Sequence, residues 1–438
     1  MYKAKNRKTP LLFKELLPFG GQLNETNRWL KIKELLPWEE LEEKYKNYFS
    51  HTGRPAKDAH LIIGLILLKH MTTKSDEEII LELQENIYWQ AFCGLEYFET
   101  ERLLNSSSLA KLRKRLGLEF IREMEELTYN VLIEKKIIKG KGLLVDATVF
   151  PEKIKFPNDV SLLNDVREWL IKQIKEICQE TGGKVRTYCR KARKVYLNFA
   201  KKKRKSKKVI KKAKKQMLQF VGRNIKQAEK MILTLDEELR EKLREKIELA
   251  KEILKQQNEM YREKTNRIKG RIVSFNREYV RPIKRGKRGK PVEFGPKGAL
   301  SLIGGFLFLD RFSHDNFSEA KEDVVIEQIR NYEEKFKKKP PSFTGDKLYG
   351  TLKNREIMKE EKIRGSFVAL GKKAKRETAD KQWFKKKQRE RNRIEGAFGN
   401  GKEHYGLDKI LYQGKEGAEM WVRSCILAMN LKAALAKI

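Results

Sequence analysis

Cysteine and histidine are scarce in this 438-residue chain, which contains four of the first and five of the second. The cysteines, Cys93, Cys178, Cys189 and Cys425, are widely separated and form no CxxC pair, and the histidines do not cluster beside them. A structural zinc site or a disulfide framework needs closely spaced ligands or pairs. The sequence therefore excludes both as the basis of the fold.

Long apolar runs are also missing. The most apolar run, Leu61–Leu68, is too short to cross a bilayer, and the first residues lack the apolar core of a signal peptide. We therefore expect no membrane partner and a cytoplasmic protein.

Acidic residues are also few relative to basic ones, since the chain has 60 Asp and Glu but 98 Lys and Arg. The resulting net charge of +38 exceeds what solubility requires and indicates a polyanionic partner, most simply nucleic acid. The chain is long enough for two or three domains, since single domains usually stop growing at roughly 250 residues.

The composition divides the chain into four stretches. Residues 1–140 are typical of an all-helical N-terminal domain, in which the apolar segment Ala59–Leu68 should form the central helix. Residues 141–156 hold a strand, 157–269 form a basic helical insertion, and 270–438 return to β-forming sequence with flanking helices. We expect the second and fourth stretches to form one α/β domain that the insertion interrupts.

One helix of the N-terminal domain is a candidate DNA reader. Ser106 can cap a helix whose exposed face is expected to carry Lys111, Arg113, Lys114 and Arg115. Such a helix would suit a helix-turn-helix motif in the major groove. A solvated basic face without a partner is an equally good interpretation of the same residues.

The insertion contains the most basic segment of the chain. Lys184–Lys215 holds 17 Lys and Arg and no acidic residue. We expect its cations to contact the phosphate backbone, and a disordered basic tether is the alternative. The densest group consists of Lys201, Lys202, Lys203, Arg204 and Lys205.

A single acid interrupts the predicted strand of the second stretch. The largely apolar run Gly142–Phe150, whose only charge is Asp146 at its centre, predicts a buried strand. An unpaired buried carboxylate is costly, so Asp146 needs a cation. A bound metal ion is one solution, and an ion pair with one of the many lysines is the other.

The later elements follow an order that gives this acid possible partners. After the Asp146 strand come a hairpin through Gly304-Gly305, a helix that Ser318 should cap, a short strand that delivers Asp346, a helix, another strand in 365–370, and the last helices, which carry Glu395. This is the element order of an RNase H-like fold.

In such a sheet the first strand and the strand after the first helix are neighbours, and the late helix packs across them. Asp146, Asp346 and Glu395 would then converge as hard oxygen ligands for Mg²⁺ or Mn²⁺, and two such ions serve phosphoryl transfer at a diester. The alternatives are a turn role for Asp346 and a surface role for Glu395. Asp310 and Asp315 are the rival acids, and we expect them behind the metal ligands.

The acids lie in motifs that resemble a known family. Leu144–Val149 resembles its first-aspartate strand, Gly298–Phe317 the segment that precedes its second aspartate, and Gly345–Tyr349 the second aspartate with its aromatic residue. By these motifs the chain resembles the DDE transposases of bacterial insertion sequences, in the insertion-sequence four and five groups. The resemblance extends from about residue 50 to the C-terminus and is weakest in the insertion.

The third motif resembles the family signature Y-x2-R-x3-E-x6-K. Arg391 stands four residues before Glu395 and Lys402 seven after it, while Gln388 replaces the tyrosine. On a helix these positions share one face, so the two cations would flank Glu395 where scissile phosphates bind.

The resemblance implies a function and its partners. It implies metal-dependent cleavage at terminal inverted repeats by means of two Mg²⁺ or Mn²⁺ ions, and attack of the freed 3′-hydroxyl on target DNA. It also implies double-stranded DNA as partner, a homodimer in the DNA complex, and a nucleoid location in the bacterial cytoplasm. An RNase H-like nuclease that only hydrolyses, and a non-catalytic basic DNA-binding protein, are the alternative functions.

Overall fold

The computed structural model describes residues 1–2, 23–155, 157–287, 290–367 and 378–438. The described chain forms two compact units. The main unit combines Met1–Glu152 with Pro296–Ile438, and the inserted unit is Lys153–Gly295. The sequence-based insertion, 157–269, lies within the inserted unit. The bounds of the four sequence-based domains, including the N-terminal domain 1–140, stay predictions.

Helices dominate the described residues, and strands are fewer and shorter. The helices are α1 Arg28–Lys33, α2 Trp38–Lys46, α3 Ala59–Thr72, α4 Asp76–Glu85, α5 Ile87–Phe92, α6 Ser106–Glu134, α7 Asp159–Thr181, α8 Cys189–Ala200, α9 Lys207–Ile232, α10 Glu237–Arg262, α11 Glu322–Phe336, α12 Leu352–Glu360, α13 Thr378–His404 and α14 Lys415–Leu435. The strands are β1 Leu143–Val149, β2 Pro282–Lys287, β3 Lys290–Phe294, β4 Lys297–Ile303, β5 Phe306–Ser313, β6 Ser342–Thr344 and β7 Arg364–Gly365. The predicted mixed α/β class with a helical N-terminal region is confirmed.

Helix α3 lies at the centre of the N-terminal helices. Every residue from Ala59 to Met71 is buried, and the Asp58 carboxylate caps the helix by accepting the N–H of Leu61. α14 packs against α3 and against α6. A helix that is apolar on all sides is stable only when other elements surround it. The predicted central helix is therefore confirmed. Within the described residues, no helix combines the length and apolar character that a membrane crossing requires.

The main unit contains a five-stranded mixed sheet in the order β5-β4-β1-β6-β7. β1 is antiparallel to β4 and parallel to β6, so it occupies the middle of the sheet. β4 and β5 are joined through Gly304 and Gly305, whose φ angles are 60° and 95°. Glycine adopts two successive positive φ angles without strain, and this is what a tight hairpin turn needs. The predicted glycine hairpin is confirmed.

Helices cover the sheet and one of its edges. α13 packs on β1, β4 and β6, and α11 packs on β4 and β5. The side chain of Asn430 in α14 accepts the N–H of Leu307 at 3.0 Å and donates to the carbonyl oxygen of Leu307 at 2.6 Å. Since an open strand edge invites pairing with other chains, this amide closes the outer edge of β5 and fixes α14 beside it.

Two local expectations for the main unit were wrong or lie outside the described residues. α11 begins at Glu322 with Lys321 at its N-cap, so Ser318 does not cap it. The residues just before Lys321 form a turn instead. The strand predicted in 365–370 is represented by the two-residue β7, while residues 368–370 lie outside the described part of the chain.

The inserted unit has its own hydrophobic core. α7 packs against α9, α10 packs against both, and α8 packs against α9. Ile247, Ala250 and Ile253 of α10 are buried. Segment 281–290 was expected to be a basic loop, but it contains β2 and the start of β3, which pair antiparallel.

A largely buried ionic cluster connects four segments of the inserted unit. The carboxylate of Asp159, at the start of α7, accepts hydrogen bonds from Lys214 of α9 at 2.8 Å, from Arg271 at 2.8 Å and from Gln257 of α10 at 3.2 Å. Burial alone would raise the pKa of Asp159, but Lys214 and Arg271 outweigh it and lower that pKa below its ordinary value of 3.8. The cluster therefore favours the folded unit when Asp159 is ionised.

Replacing Asp159 with Asn should destabilise the inserted unit by about 3–5 kcal/mol, because the nearly buried Lys214 loses its counter-charge. The folded-state pKa is lowered, so the contribution is present at neutral pH. It is lost as pH falls below the ordinary value of 3.8 toward the folded pKa. Urea denaturation of the full chain, with hydrogen exchange of α7 and α9 to locate the effect, measures this change.

Asp165→Asn is the matched control. Asp165 lies on the same helix and pairs with the exposed Lys155 at 3.1 Å. Exposed pairs contribute roughly 0–1 kcal/mol, so this change should have little effect. Equal losses in the two variants would contradict a special role for Asp159.

Candidate active site

β1 is the strand that carries Asp146. Six of its seven residues are buried, and Asp146 is the partly exposed one, with 21% of its side-chain surface accessible. Its Oδ1 accepts the N–H of Ala147 at 2.7 Å. The strand therefore holds a carboxylate that is mostly removed from water and receives a hydrogen bond from the adjacent backbone.

Asp346 follows β6, the strand that runs parallel to β1. β1 and β6 run parallel, and Leu144 pairs with Thr344. Each aspartate thus follows the same rung by two residues, and parallel strands rise equally per residue. Asp346 precedes a single 3₁₀ turn, Lys347–Tyr349, and its Oδ1 accepts the N–H of Leu348 at 2.8 Å. The strand register therefore brings Asp346, just beyond the C-terminal end of β6, near Asp146 in the middle of β1.

The surroundings of Asp146 raise the pKa of its carboxyl group. Burial is the largest cause, the negative charge of Asp346 adds to it, and Glu319 contributes further. The N–H of Ala147 and the charge of Arg391 partly offset these effects. Desolvation and nearby like charges both disfavour the ionised form of Asp146, and a nearby positive charge favours it.

Arg391 of α13 provides a positive charge between two of the predicted ligands. Its Nη1 lies 2.8 Å from Oε1 of Glu395 and 4.0 Å from Oδ2 of Asp146. Glu395 keeps 55% of its side-chain surface exposed. α13 therefore places Arg391 against β1, while Glu395, one turn later, is drawn toward the guanidinium.

Joint metal coordination by the three acids stays a prediction. Within the described residues, no group of three or more His, Cys, Asp and Glu side chains is arranged to hold a metal ion. The structure brings the charge of Asp346 near Asp146 and connects Asp146 to Glu395 through Arg391. Carboxylates repel one another, and the arginine supplies the counter-charge in this arrangement.

Lys402 contacts the far end of β1. Its Nζ donates to Oγ1 of Thr148 at 3.2 Å and to the carbonyl oxygen of Val149 at 3.2 Å. Thr148 and Val149 follow Asp146 closely in the strand. The second predicted cation of α13 is thus attached to the strand that carries Asp146.

Glu319 is a further acid near the site that the sequence analysis missed. It forms an ion pair with Lys297, which lies opposite Val149 in the β1–β4 ladder. Asn354 fixes the adjacent turn by donating to the carbonyl oxygens of Ala320, at 2.9 Å, and Tyr349, at 3.0 Å. The one sequence signal for Glu319 is its place just after the family-like segment, because its neighbours come from distant elements.

Asp310 has a different environment from the predicted ligands. Its carboxylate is hydrogen bonded by the hydroxyl of Ser301 and by the side chains of Gln328, at 3.4 Å, and Asn331, at 3.3 Å. Burial raises the pKa of Asp310 to about 6. Its partners belong to β4 and α11, so its placement behind the metal ligands stays a prediction.

Comparisons with known proteins identify two transposase segments. Residues 18–115 match the family described as "Transposase domain (DUF772)", and residues 352–435 match the "Transposase DDE domain" family. The chain belongs to the DDE transposases of insertion sequences. It is also 30% identical over 157 residues to "Uncharacterized protein ORF8 in nfe locus" of Rhizobium meliloti, an overlap of 35% of this chain and 76% of that protein. No solved structure matches this transposase.

The two matched segments cover part of the candidate site. The second contains Arg391, Glu395 and Lys402, whereas Asp146 and Asp346 lie outside both. The family membership therefore rests on other residues than the two aspartates. The assignment of these two acids depends on the strand register and on the motifs around them.

Arg113 of the transposase was wrongly expected on an exposed DNA-reading face. It is only 9% exposed and forms two hydrogen bonds to Asp76, at 3.1 and 2.9 Å. Its guanidinium also lies 4.2 Å from the ring centre of Tyr412. Because α6 packs against α4 on this side, the guanidinium of Arg113 makes these contacts inside the main unit.

The remaining predicted DNA contacts of the transposase lie on exposed surface. Lys114 and Arg115 of α6 are exposed, and Arg115 also lies over the ring of Phe49. In the inserted unit, exposed side chains follow the end of α8 in the turn Lys201, Lys202, Lys203, Arg204 and Lys205. Their accessibility fits a phosphate contact, and the contact itself stays a prediction.

Replacing Arg391 with Gln should raise the affinity of the DNA-free transposase for Mn²⁺. The change removes a positive charge close to Asp146 and frees Glu395 from its partner. Unit charges about 4 Å apart near a protein surface interact by roughly 4 kcal/mol, so an increase of roughly tenfold or more is expected. Isothermal titration with Mn²⁺ at low ionic strength measures it.

Arg393→Gln is the control, because Arg393 lies on the same helix and is exposed. It removes the same charge without touching Asp146 or Glu395. If both variants bind Mn²⁺ alike, Arg391 does not compete with the metal.

Proposed function

We propose that this transposase cuts phosphodiester bonds at the ends of its element and joins the freed 3′-hydroxyl to target DNA. The observation that carries the proposal is the register of β1 and β6, in which Asp146 and Asp346 each follow the same paired rung by two residues, with Arg391 connecting Asp146 to Glu395. The reaction class follows from this set, because carboxylates beside cations suit a metal-assisted displacement at phosphorus. The membership of the chain in the DDE transposases, a family of polynucleotidyl transferases, supports the same reaction class.

The catalytic domain is proposed to be RNase H-like. In support, the middle strand β1 has an antiparallel hairpin, β4 and β5, on one side and the parallel strands β6 and β7 on the other. α11 connects the hairpin to β6, and α13 packs across the middle of the sheet. This arrangement places the ends of β1 and β6 beside α13, where the proposed ligands lie.

Asp146, Asp346 and Glu395 would hold Mg²⁺ or Mn²⁺, in the proposed case two ions. The fit rests on the donors, which are all carboxylate oxygens, and on the negative charges of Asp346 and Glu319 near the largely buried Asp146. The guanidinium of Arg391 already offsets part of the negative charge of these carboxylates, so the proposed site accepts a cation. Bound there, such ions activate the attacking oxygen and stabilise the leaving oxygen.

The protein's own cations would orient the DNA. Arg391 has the planar fork of donors that suits a phosphate, and a phosphate could replace Glu395 as its partner. Lys402, attached to Thr148 and Val149, is proposed to contact a phosphate beside β1. Lys114, Arg115 and the turn 201–205 would contact the backbone elsewhere. The homodimer in the DNA complex and the nucleoid location also remain predictions.

A joining assay separates the proposed function from its alternatives. DNA that flanks the gene is searched for short inverted repeats, and an oligonucleotide with such a repeat and a precut 3′-hydroxyl is incubated with supercoiled plasmid and Mg²⁺. We expect the chain to join the end to the plasmid and also to cleave an uncut substrate. Asp346→Asn should lose both activities while it keeps its DNA affinity in chelator, because only the ligand set has changed.

Each alternative outcome has a distinct meaning. Hydrolysis without joining would identify a nuclease, and binding without either reaction would identify an architectural DNA-binding protein. Activity in Asp346→Asn equal to that of the unchanged chain would reject Asp346 as a ligand. Lys347→Gln controls for a change next to this residue, since Lys347 is exposed.

Changing all five cations of 201–205 to Ala should weaken binding to specific and random DNA alike. Counterion release predicts that the slope of log affinity against log salt flattens by roughly 0.9 for each phosphate that the variant no longer neutralises. Fluorescence anisotropy over a salt series measures the slope. An unchanged slope would mean that the turn binds no phosphates.

A control for this change is available in the same unit. Lys242, Lys251 and Lys255 of α10 are cations outside the basic run, and Lys242 and Lys251 are paired with acids of the same helix. Their replacement by Ala changes the net charge without touching the turn. A comparable flattening in this variant would attribute the effect to net charge alone.

A further inference from the structure

Gln388, which stands where the family signature has tyrosine, bonds inward to the sheet. Its Nε2 donates to the carbonyl oxygen of Ser366 at 3.0 Å and lies 3.3 Å from Oγ of the same residue. Ser366 is fully buried, and its N–H donates to the carbonyl oxygen of Phe343 at 2.8 Å. Phe343 belongs to β6 and precedes Asp346 by three residues. The amide therefore attaches α13 to the strand that delivers Asp346.

The other polar side chains on this face of α13 are attached to β1. Positions 388, 391, 395 and 402 follow one another at spacings of three, four and seven, which keeps them on one side of a helix. Arg391 approaches Asp146, and Lys402 bonds to the end of the same strand. Glu395 lies between these attachments. The position of Glu395 relative to both aspartates thus depends on one contact to Ser366, which is bonded to β6, and two contacts to β1.

The hydrogen bond of Gln388 differs chemically from the contacts that Arg391 and Lys402 make with β1. Arg391 and Lys402 are charged groups that the proposed reaction would draw toward phosphates. The Gln388 amide is neutral, and its partners are a carbonyl and a hydroxyl inside the sheet. Metal or DNA binding supplies no stronger competitor for those partners. The Gln388 contact can therefore persist while the contacts of Arg391 and Lys402 rearrange.

We propose that Gln388 is a positioning residue, which holds Glu395 at a fixed place relative to Asp346 through its bond to Ser366. This inference rests on the proposed function, because it assigns Glu395 and Asp346 to one metal site. By this inference, the glutamine that replaces the tyrosine of the family signature has a defined role on the side of α13 that faces the sheet.

Gln388→Met tests the inference. Methionine keeps the length, the absence of charge and the helix preference, but it donates no hydrogen bond. Residues that orient metal ligands typically change metal affinity by 10–100-fold when they are replaced. We expect Mn²⁺ affinity to fall by about tenfold, with DNA affinity in chelator unchanged. Gln382→Met is the matched control, because Gln382 is exposed on the same helix and should leave both affinities unchanged.

A double-mutant cycle separates positioning from a general structural effect. If Gln388 acts through Glu395, Gln388→Met should have no further effect on Mn²⁺ affinity in a Glu395→Gln background. Additive losses would overturn the inference. Ser366→Ala removes only the hydroxyl and leaves the carbonyl contact, so its loss should be smaller and should not add to that of Gln388→Met. This second variant provides the test if Gln388→Met fails to fold.

The outcomes distinguish failure of the inference from failure of the proposed function. If Asp146→Asn and Glu395→Gln leave Mn²⁺ binding unchanged, the proposed metal site is wrong. If those two variants bind Mn²⁺ more weakly while Gln388→Met binds it as the unchanged chain does, only the positioning role of Gln388 is overturned.

Discussion

The candidate site depends on the repulsion among neighbouring carboxylates that are partly removed from water, those of Asp146, Asp346 and Glu319. The register of β1 and β6 brings the charge of Asp346 near Asp146, and burial of Asp146 removes much of the water that would screen the two carboxylates. Cationic side chains from other elements offset this repulsion. Arg391 reaches Asp146 and Glu395, and Lys297 neutralises Glu319. A chain with a net charge of +38 thus concentrates negative charge at one place and balances it locally.

The same strand explains how the fold accommodates a long insertion. The main unit ends its first segment at Glu152 and resumes at Pro296. The N–H of Phe150 donates to the carbonyl oxygen of Pro296 at 2.9 Å, and Glu152 forms a bridge with Ile410. Both ends of the insertion are therefore fixed beside the β1–β4 ladder. An insertion with adjacent ends and its own core leaves the register of the sheet intact.

The sequence predicted features that depend on local pattern. Apolar residues on all sides of α3, the glycine pair between β4 and β5, and the lone acid in an apolar strand were each readable within a few positions. Features that depend on distant partners were not. Arg113 is buried because Asp76, 37 residues earlier, receives its guanidinium. Glu319 comes near Asp146 only through the folded sheet. Patterns of hydrophobicity do not encode these long-range ion pairs.

Crystallographic location of the metal tests the central claim most directly. Crystals grown with Mn²⁺ and DNA that carries an inverted repeat would reveal the ions by their anomalous scattering. The account predicts density bounded by the carboxylates of Asp146, Asp346 and Glu395, with Arg391 turned away from Glu395 toward a phosphate. Ions bound at other acids, or a site in which Arg391 still bridges Asp146 and Glu395 while DNA is cut, would contradict it.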